Sequence, residues 1–381
     1  MSIYDLVASY NDRNPLDHAY TLPASWYVDQ HIAELERQST FSHSWQVVGR
    51  AEQLAQPGQF ITAELAGEPL LVVRGRDNQL RAFYNVCRHH AAAVVTEDEG
   101  SASIFRCPYH GWSYGLDGSL KGAPEFEGVC GFDHAQNGLV HVQVELWEQF
   151  VFVNLDPRAR PLSDFLGRLV QRIAPLGLSS LHFLERRSYR LDCNWKVFVD
   201  NYLDGGYHVP HLHKALNSML DYTHYSIEIG ERYCLQSSPM AASTMAAATS
   251  ALRTGDRAWY FWQYPNFMMN LYADYMDTNL VVPDSADRCT VIFDFYFDDV
   301  SAAAAERNRQ SIAFGERVND EDVGICKAVQ RGLHSRAYGA GRLSVRREAG
   351  EHLFHRLLAA DLKSGLEKAA VAVSPHDEQT M

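Results

Sequence analysis

Between residues 44 and 156 the apolar positions come in short runs: 45–48, 70–73, 82–86, 103–105, 140–144 and 150–155. Turn formers separate them, among them Gln56-Pro57-Gly58, Arg76-Asp77-Asn78 and Leu116-Asp117-Gly118. Runs of that length between such punctuation predict strands. Asp156-Pro157 and Arg160-Pro161 close the stretch, and the period then changes. Residues 162–173 space their apolar side chains as a helix does, until Pro175 stops it. Asn194 is a helix cap for the run 195–204. Residues 225–298 return to aromatic and β-branched runs, which predict strands again. Residues 302–333 predict a long helix, with Asp298, Asp299 and Ser301 at its start and Gly332 near its end. An Ala/Ser patch at 241–251 predicts a mobile loop, and 374–381 a disordered tail.

At 381 residues the chain has room for two domains. No stretch approaches the ~18 apolar residues of a membrane helix, and the N-terminus has neither the basic nor the apolar region of a signal peptide, so no membrane association is expected. A net charge of −13 argues against nucleic acid as a partner. Of the seven cysteines, Cys130, Cys193, Cys234, Cys289 and Cys326 are scattered, odd in number and without pattern, which predicts reduced thiols in a cytoplasm rather than a disulfide framework.

The other two cysteines have company. Cys87-Arg88-His89 is followed, after seventeen residues, by Cys107-Pro108-Tyr109-His110. Each loop offers one thiolate and one imidazole. A structural zinc ion accepts such a set. A [2Fe–2S] cluster of the Rieske type needs the same inventory, with two histidines on one iron. The run Cys107-Pro-Tyr-His-Gly-Trp112 resembles the second ligand loop of Rieske proteins.

A second constellation lies downstream. Asp200, Asp204 and His208 are spaced four apart, and on a helix they share one face. Gly205-Gly206 weakens that helix and Pro210 ends or bends it. The chain can then swing His213 back toward His208. Two histidines and one carboxylate facing open positions form the ligand set of non-haem Fe(II) oxygenases; with 17 histidines in the chain, this spacing alone is weak evidence.

The segment from Asp200 to His213, reading Asp-Asn-x-x-Asp-x-x-x-His-x4-His, resembles the signature of the Rieske non-haem iron oxygenases. The preceding Asn194-Trp-Lys-Val-Phe198 and the Tyr207-His-Val-Pro210 run resemble the choline monooxygenase, quaternary-amine branch of that family. The likeness extends through Glu321-Asp322-Val323 to Gly341-Arg342 and covers nearly the whole chain.

The resemblance implies an α+β chain. A β-rich Rieske domain at 44–156 would be inserted into a catalytic domain at 157–381, with an antiparallel sheet gripped by helices, and residues 1–43 would pack with the catalytic part. Cys87, His89, Cys107 and His110 would hold the cluster. His208, His213 and Asp322 would hold a mononuclear Fe(II), with Asp320 as the alternative to Asp322 and His211 as the alternative to His213. Asn201 would stand near that iron. Asp204 would bridge His208 to a Rieske histidine of a neighbouring copy, which implies a homotrimer or a multiple of three. Electrons would come from NAD(P)H through a separate flavin and iron–sulfur reductase, or through a ferredoxin, to hydroxylate a small molecule with dioxygen.

The branch implies a quaternary ammonium substrate such as choline or a betaine, hydroxylated beside nitrogen by monooxygenation. The aromatic run 259–264 offers a cation cage, with Trp259, Phe261, Gln263 and Phe267 as the expected lining. Such a run also fills a core as a matter of course. Ring hydroxylation of an arene is the competing reading. A Rieske electron carrier and a zinc-stabilised binding module are the remaining ones.

Overall fold

The computed structural model describes residues 2–241 and 255–373, with side chains through residue 370; residues 242–251 of the Ala/Ser patch and the 374–381 tail lie outside the described residues. The described chain forms two compact units, one of residues 41–165 and one of residues 1–40 together with 166 onward. The chain thus begins in the second unit, leaves it for the first, and returns.

The 41–165 unit is built mainly of strands, with short helical turns at Ala51–Leu54 and His134–Asn137 and the helix Leu162–Leu166 at its exit. It contains β1 (Gln46–Arg50), β2 (Gln59–Leu65), β3 (Glu68–Arg74), β4 (Leu80–Tyr84), β5 (Glu99–Ser101), β9 (His141–Trp147) and β10 (Phe150–Asn154), ordered β1-β10-β9-β4-β3-β2-β5. A second, three-stranded sheet holds β6 (Phe105–Arg106), β7 (Ser113–Tyr114) and β8 (Leu120–Gly122). Leu70, Leu71, Val72 and Val73 of β3 are all fully buried, so both faces of that strand are covered and its sequence reads as one unbroken apolar run.

The other unit is built on one antiparallel sheet of seven strands. These are β11 (His182–Leu191), β12 (Ser226–Ile229), β13 (Tyr233–Pro239), β14 (Arg257–Gln263), β15 (Phe267–Leu271), β16 (Tyr275–Ser285) and β17 (Arg288–Phe297), ordered β11-β17-β16-β15-β14-β13-β12. The helix Trp195–Leu203 packs on this sheet and against both Ala305–Leu333 and Ala349–Val373. The first follows its predicted cap: the Asn194 side chain accepts from the Lys196 N–H at 3.0 Å. The third has no counterpart among the sequence expectations, although Phe354, Leu358 and Leu362, four apart, are fully buried. No helix among the described residues is long and apolar enough to cross a membrane.

An ion pair pins the 195–203 helix. Lys196 is wholly buried, and its Nζ lies 2.6 Å from Glu36 Oε1. The other Glu36 oxygen accepts from the Trp195 indole at 2.8 Å. Burial pushes the lysine pKa down, and Glu36 opposes it. Breaking one side of such a pair strands the other charge in a dry site. Lys196→Met is therefore expected to cost about 3–5 kcal/mol in chemical denaturation. The double replacement Glu36→Leu with Lys196→Met should recover most of it.

Candidate metal centres and the cleft beside one of them

The two Cys/His loops are built alike. Ala91 N–H donates to the Cys87 carbonyl at 3.0 Å, and Gly111 N–H donates to the Cys107 carbonyl at 3.1 Å. Each loop so closes over its cysteine with a residue of positive φ, Ala91 at 59° and Gly111 at 75°. For alanine that conformation costs about 1–2 kcal/mol. Cys87 and Cys107 sit in the core of this unit with Phe60, Leu71, Phe83, Trp112 and Tyr114, while His110 is exposed. The His89 and His110 rings lie 4.7 Å apart, and His89 stacks flat on Trp112 at 4.8 Å.

This pocket fits an iron–sulfur cluster. The His89 Nδ1 is buried without a hydrogen-bond partner, as a nitrogen reserved for a metal would be. Burial, then the His90 and His110 rings, push the His89 imidazole toward its neutral, ligating form. Burial raises the Cys107 thiol, while the N–H groups of Tyr109 and His110 aim at its sulfur and pull the other way. The Tyr114 hydroxyl stands 3.3 Å from the Cys87 sulfur and accepts from the Arg88 N–H at 3.0 Å.

In the other unit, the 195–203 helix ends where the sequence becomes Asp204-Gly205-Gly206. Both glycines have φ of +68°. A Cβ on Gly205 would meet the Arg347 carbonyl, and one on Gly206 the Tyr225 ring, so only glycine fits at this turn. The turn changes one expectation. Asp200, Asp204 and His208 do not share a helical face, because the helix stops before Asp204. Asp204 and His208 still meet, through the turn: Asp204 Oδ2 accepts from the His208 N–H at 2.9 Å and faces His208 Nδ1 at 2.7 Å. His213 follows the short helix Val209–Leu212.

His208, His213 and Asp322 come together with one ligand atom each, all within 4.8 Å of one another. Asp322 Oδ1 lies 3.0 Å from His213 Nε2 and 3.9 Å from His208 Nε2. Asp320 and His211 are exposed and stand outside this group. Asn201 donates its side-chain N–H to Asp322 Oδ1 at 2.8 Å.

The carboxylates behind the histidines decide which nitrogens face inward. Asp204 takes Nδ1 of His208, and Glu321 takes Nδ1 of His213 at 2.6 Å. A carboxylate only accepts, so each Nδ1 carries the proton and each Nε2 offers a lone pair. With His213 neutral, its Nε2 and Asp322 Oδ1 are two acceptors 3.0 Å apart, which a shared cation, a proton or a metal ion, holds together. Ligands about 2.1 Å from a metal lie about 3–4 Å apart, depending on the angle between them, and the Asp322 oxygen stands 3.0 Å from His213 Nε2 and 3.9 Å from His208 Nε2. Burial pulls His213 down, but Asp322 and Glu321 outweigh it, so its affinity for positive charge is raised. The residues present fit a divalent ion.

Glu321 went unread in the sequence, where it passes for a solvated helix acid. It is partly exposed, yet it sets the tautomer of a buried imidazole. Glu321→Ala is expected to weaken iron binding at this centre about 10–100-fold, read by chelator competition, with the [2Fe–2S] absorption unchanged.

Asp200 points away from this centre. It accepts from Tyr27 Oη at 2.5 Å and faces His355 Nε2 at 2.9 Å, with the buried Glu351 beside them. It ties the N-terminal segment and the last helix to the 195–203 helix.

A cleft with about 900 Å³ of open space, counting its mouth, reaches the three facing ligands. One face of the sheet supplies its floor: Gln236, Tyr260, Asn270, Asp277, Asn279, Phe293 and Phe295 are register neighbours across β13 to β17. Tyr202, Tyr225 and Tyr272 complete the aromatic wall. The expected lining is corrected here. Trp259, Phe261, Gln263 and Phe267 do not line the cleft, because β14 turns Tyr260 into it and a strand alternates its faces. Phe267 pairs with Gln263 and falls on the same far side.

The chain matches the Rieske [2Fe-2S] domain over residues 44–133 and the ring hydroxylating alpha subunit (catalytic domain) over residues 178–364. It is 38% identical to the chloroplastic choline monooxygenase of Arabidopsis thaliana, over 95% of this chain and 87% of that protein. It is 32% identical to the carnitine monooxygenase oxygenase subunit of Escherichia coli K12, over 92% of this chain and 96% of that one. The crystal structure of the quaternary ammonium Rieske monooxygenase CntA with L-carnitine superposes with a TM-score of 0.80 at 30% identity, covering 95% of this chain and 99% of that chain. Two sequence domains, a Cys₂His₂ loop pair and a separate two-histidine, one-carboxylate centre agree with these relatives: the chain belongs to the Rieske non-haem iron oxygenases, as the oxygenase component that carries a [2Fe–2S] cluster and a mononuclear iron.

Proposed function

We propose that the chain hydroxylates a quaternary ammonium compound, such as choline or a betaine, at a carbon beside nitrogen. Its relatives named above act on choline and carnitine. The observation that carries the reading is the cleft wall: Tyr202, Tyr225, Tyr260, Tyr272, Phe293 and Phe295 surround the space that reaches His208, His213 and Asp322. Aromatic faces attract a quaternary ammonium, by about 0.5–2 kcal/mol per contact.

Cys87, His89, Cys107 and His110 hold the cluster in this reading, and His208, His213 and Asp322 hold Fe(II). When bound, the cluster supplies single electrons and the iron supplies the dioxygen chemistry. The chain does the rest. Asp204 and Glu321 fix the two imidazoles with Nε2 inward. Asn201 fixes the Asp322 carboxylate. The aromatic wall orients the substrate and keeps water from its reacting carbon. Residues 44–156 serve as the electron-accepting domain and 157–381 as the catalytic domain, with 1–43 packed on the latter.

Electrons reach the cluster from NAD(P)H through a separate flavin and iron–sulfur reductase. Asp204, beyond its bonds to His208, bridges to a Rieske histidine of a neighbouring copy in a homotrimer. The seven cysteines carry no disulfide, which suits a reducing cytoplasm.

The test is anaerobic binding of choline, glycine betaine and carnitine, beside benzoate-type arenes, read by EPR of the nitrosyl adduct at the mononuclear iron. A response to at least one quaternary amine is expected. A response to arenes alone would replace this reading with ring hydroxylation.

A further inference from the structure

We propose that Asn319 receives the hydroxyl of the substrate, so that the cleft selects hydroxyl-bearing quaternary amines over those with a plain alkyl tail. The proposal deepens the function above and rests on it.

Asn319 lies on the 305–333 helix, three residues before Asp322. Gly315, Val318, Asn319 and Asp322 all line the cleft, three and four apart on one face of that helix. Asn319 is only 3% exposed. Its Oδ1 and Nδ2 are both buried, and among the described residues neither has a hydrogen-bond partner. A helical side chain leans over the turn before it, and there the helix presents Gly315, which has no side chain to offer an amide. A buried amide with both halves unpaired is rare in a folded protein and costs free energy until something pairs with it.

The other amides of the cleft are already engaged. Gln236 donates to the Tyr202 carbonyl at 2.7 Å and accepts from Tyr225 Oη at 3.1 Å. Asn270 donates to Asp277 at 2.7 Å and accepts from Tyr202 Oη at 2.9 Å. Asn279 donates to Asp277, and Asn201 to Asp322. Among the described residues of the cleft, Asn319 is the amide with neither half engaged.

An amide sets an acceptor beside a donor. A hydroxyl is the complementary group, since it donates to Oδ1 and accepts from Nδ2 together. An alkyl tail leaves both unpaired. A site built to pair a substrate hydroxyl therefore discriminates against the analogue that lacks it. With the trimethylammonium end on the aromatic wall, the hydroxyl is held about one helical turn from Asp322. The amide thereby also sets how the substrate lies toward the iron.

Choline and ethyltrimethylammonium differ only in that hydroxyl. Their binding to the intact holoenzyme is read anaerobically at the mononuclear iron. Choline is expected to bind at least tenfold more tightly. Asn319→Leu, similar in size and apolar, should bring the two within about twofold of each other. Asn319→Ala should narrow the gap likewise, so a leucine variant that fails to fold does not shield the idea. The ratio is the readout, because a variant that merely loosens the fold weakens both probes alike. A native protein that binds the two equally would overturn the proposal. So would a preference for choline that survives both substitutions, which would put the hydroxyl on the iron or on another polar side chain. If neither amine binds while an arene does, the wider reading has failed and this one with it; if both amines bind alike, only the role of Asn319 has.

Discussion

Asp322→Ala is expected to leave a brown protein that does no chemistry. The substitution removes the carboxylate that faces both inward imidazoles, at 3.0 Å from one and 3.9 Å from the other. Two histidines alone hold a divalent ion poorly, and the several kcal/mol that a metal contributes to a transition state is lost with it. Turnover should fall by about three orders of magnitude or more. The change is confined to one unit of the fold, so acid-labile sulfide and the visible spectrum of the cluster should stay at native levels. An iron assay would then give two atoms per chain where the native protein gives three. Retained turnover would show that Asp322 is not a ligand, and Asp320 would have to be tried in its place.

Cys107→Ser is the mirror experiment, with an equally large effect. Cys107 is 2% exposed and sits in the core that anchors both ligand loops. Serine offers no thiolate to a cluster. Labile sulfide should drop to nothing, and turnover with the reductase to background. The mononuclear centre, assembled from His208, His213 and Asp322 in the other unit, should still bind iron and report substrate. The two inactive variants also probe the assembly. If electrons pass between neighbouring copies, co-expressed Asp322→Ala and Cys107→Ser chains should regain part of the native rate, and mixtures of the separately folded proteins should not. No recovery on co-expression would place the electron path within one chain.

The sequence revealed the two centres unequally, for a physical reason. The cluster ligands lie in two short loops, each of whose residues are neighbours in sequence as well as in space, so their spacing is itself a signature. His208 and His213 are similarly close. Asp322 stands 109 positions beyond His213, on another helix. No local pattern marks it among the acids at 320–322, and only the family resemblance pointed to it. Glu321 was missed because an acid on an exposed helical face reads as merely solvated; yet adjacent residues of the 305–333 helix reach the two different nitrogens of one imidazole.

The cleft wall failed for a different reason. The strand 257–263 was legible, but its facing was not. Shifting the inward set by one residue exchanges Trp259 and Phe261 for Tyr260, and nothing in a run of consecutive aromatics tells the two apart. The helix Ala349–Val373 was overlooked although its buried residues recur every four. Its partners are the 195–203 helix and the N-terminal segment, distant in sequence.

The carboxylates behind the histidines have a consequence for redox behaviour. Asp204, Glu321 and Asp322 bring three negative charges to a centre whose ion brings two positive ones. The loaded site is therefore anionic overall by one charge, and each imidazole, leaning its proton toward a carboxylate, donates more strongly through its free nitrogen. Both effects favour the higher oxidation state. The reduction potential of the centre is thereby drawn downward, and neutralising Glu321 alone would raise it without touching a single ligand.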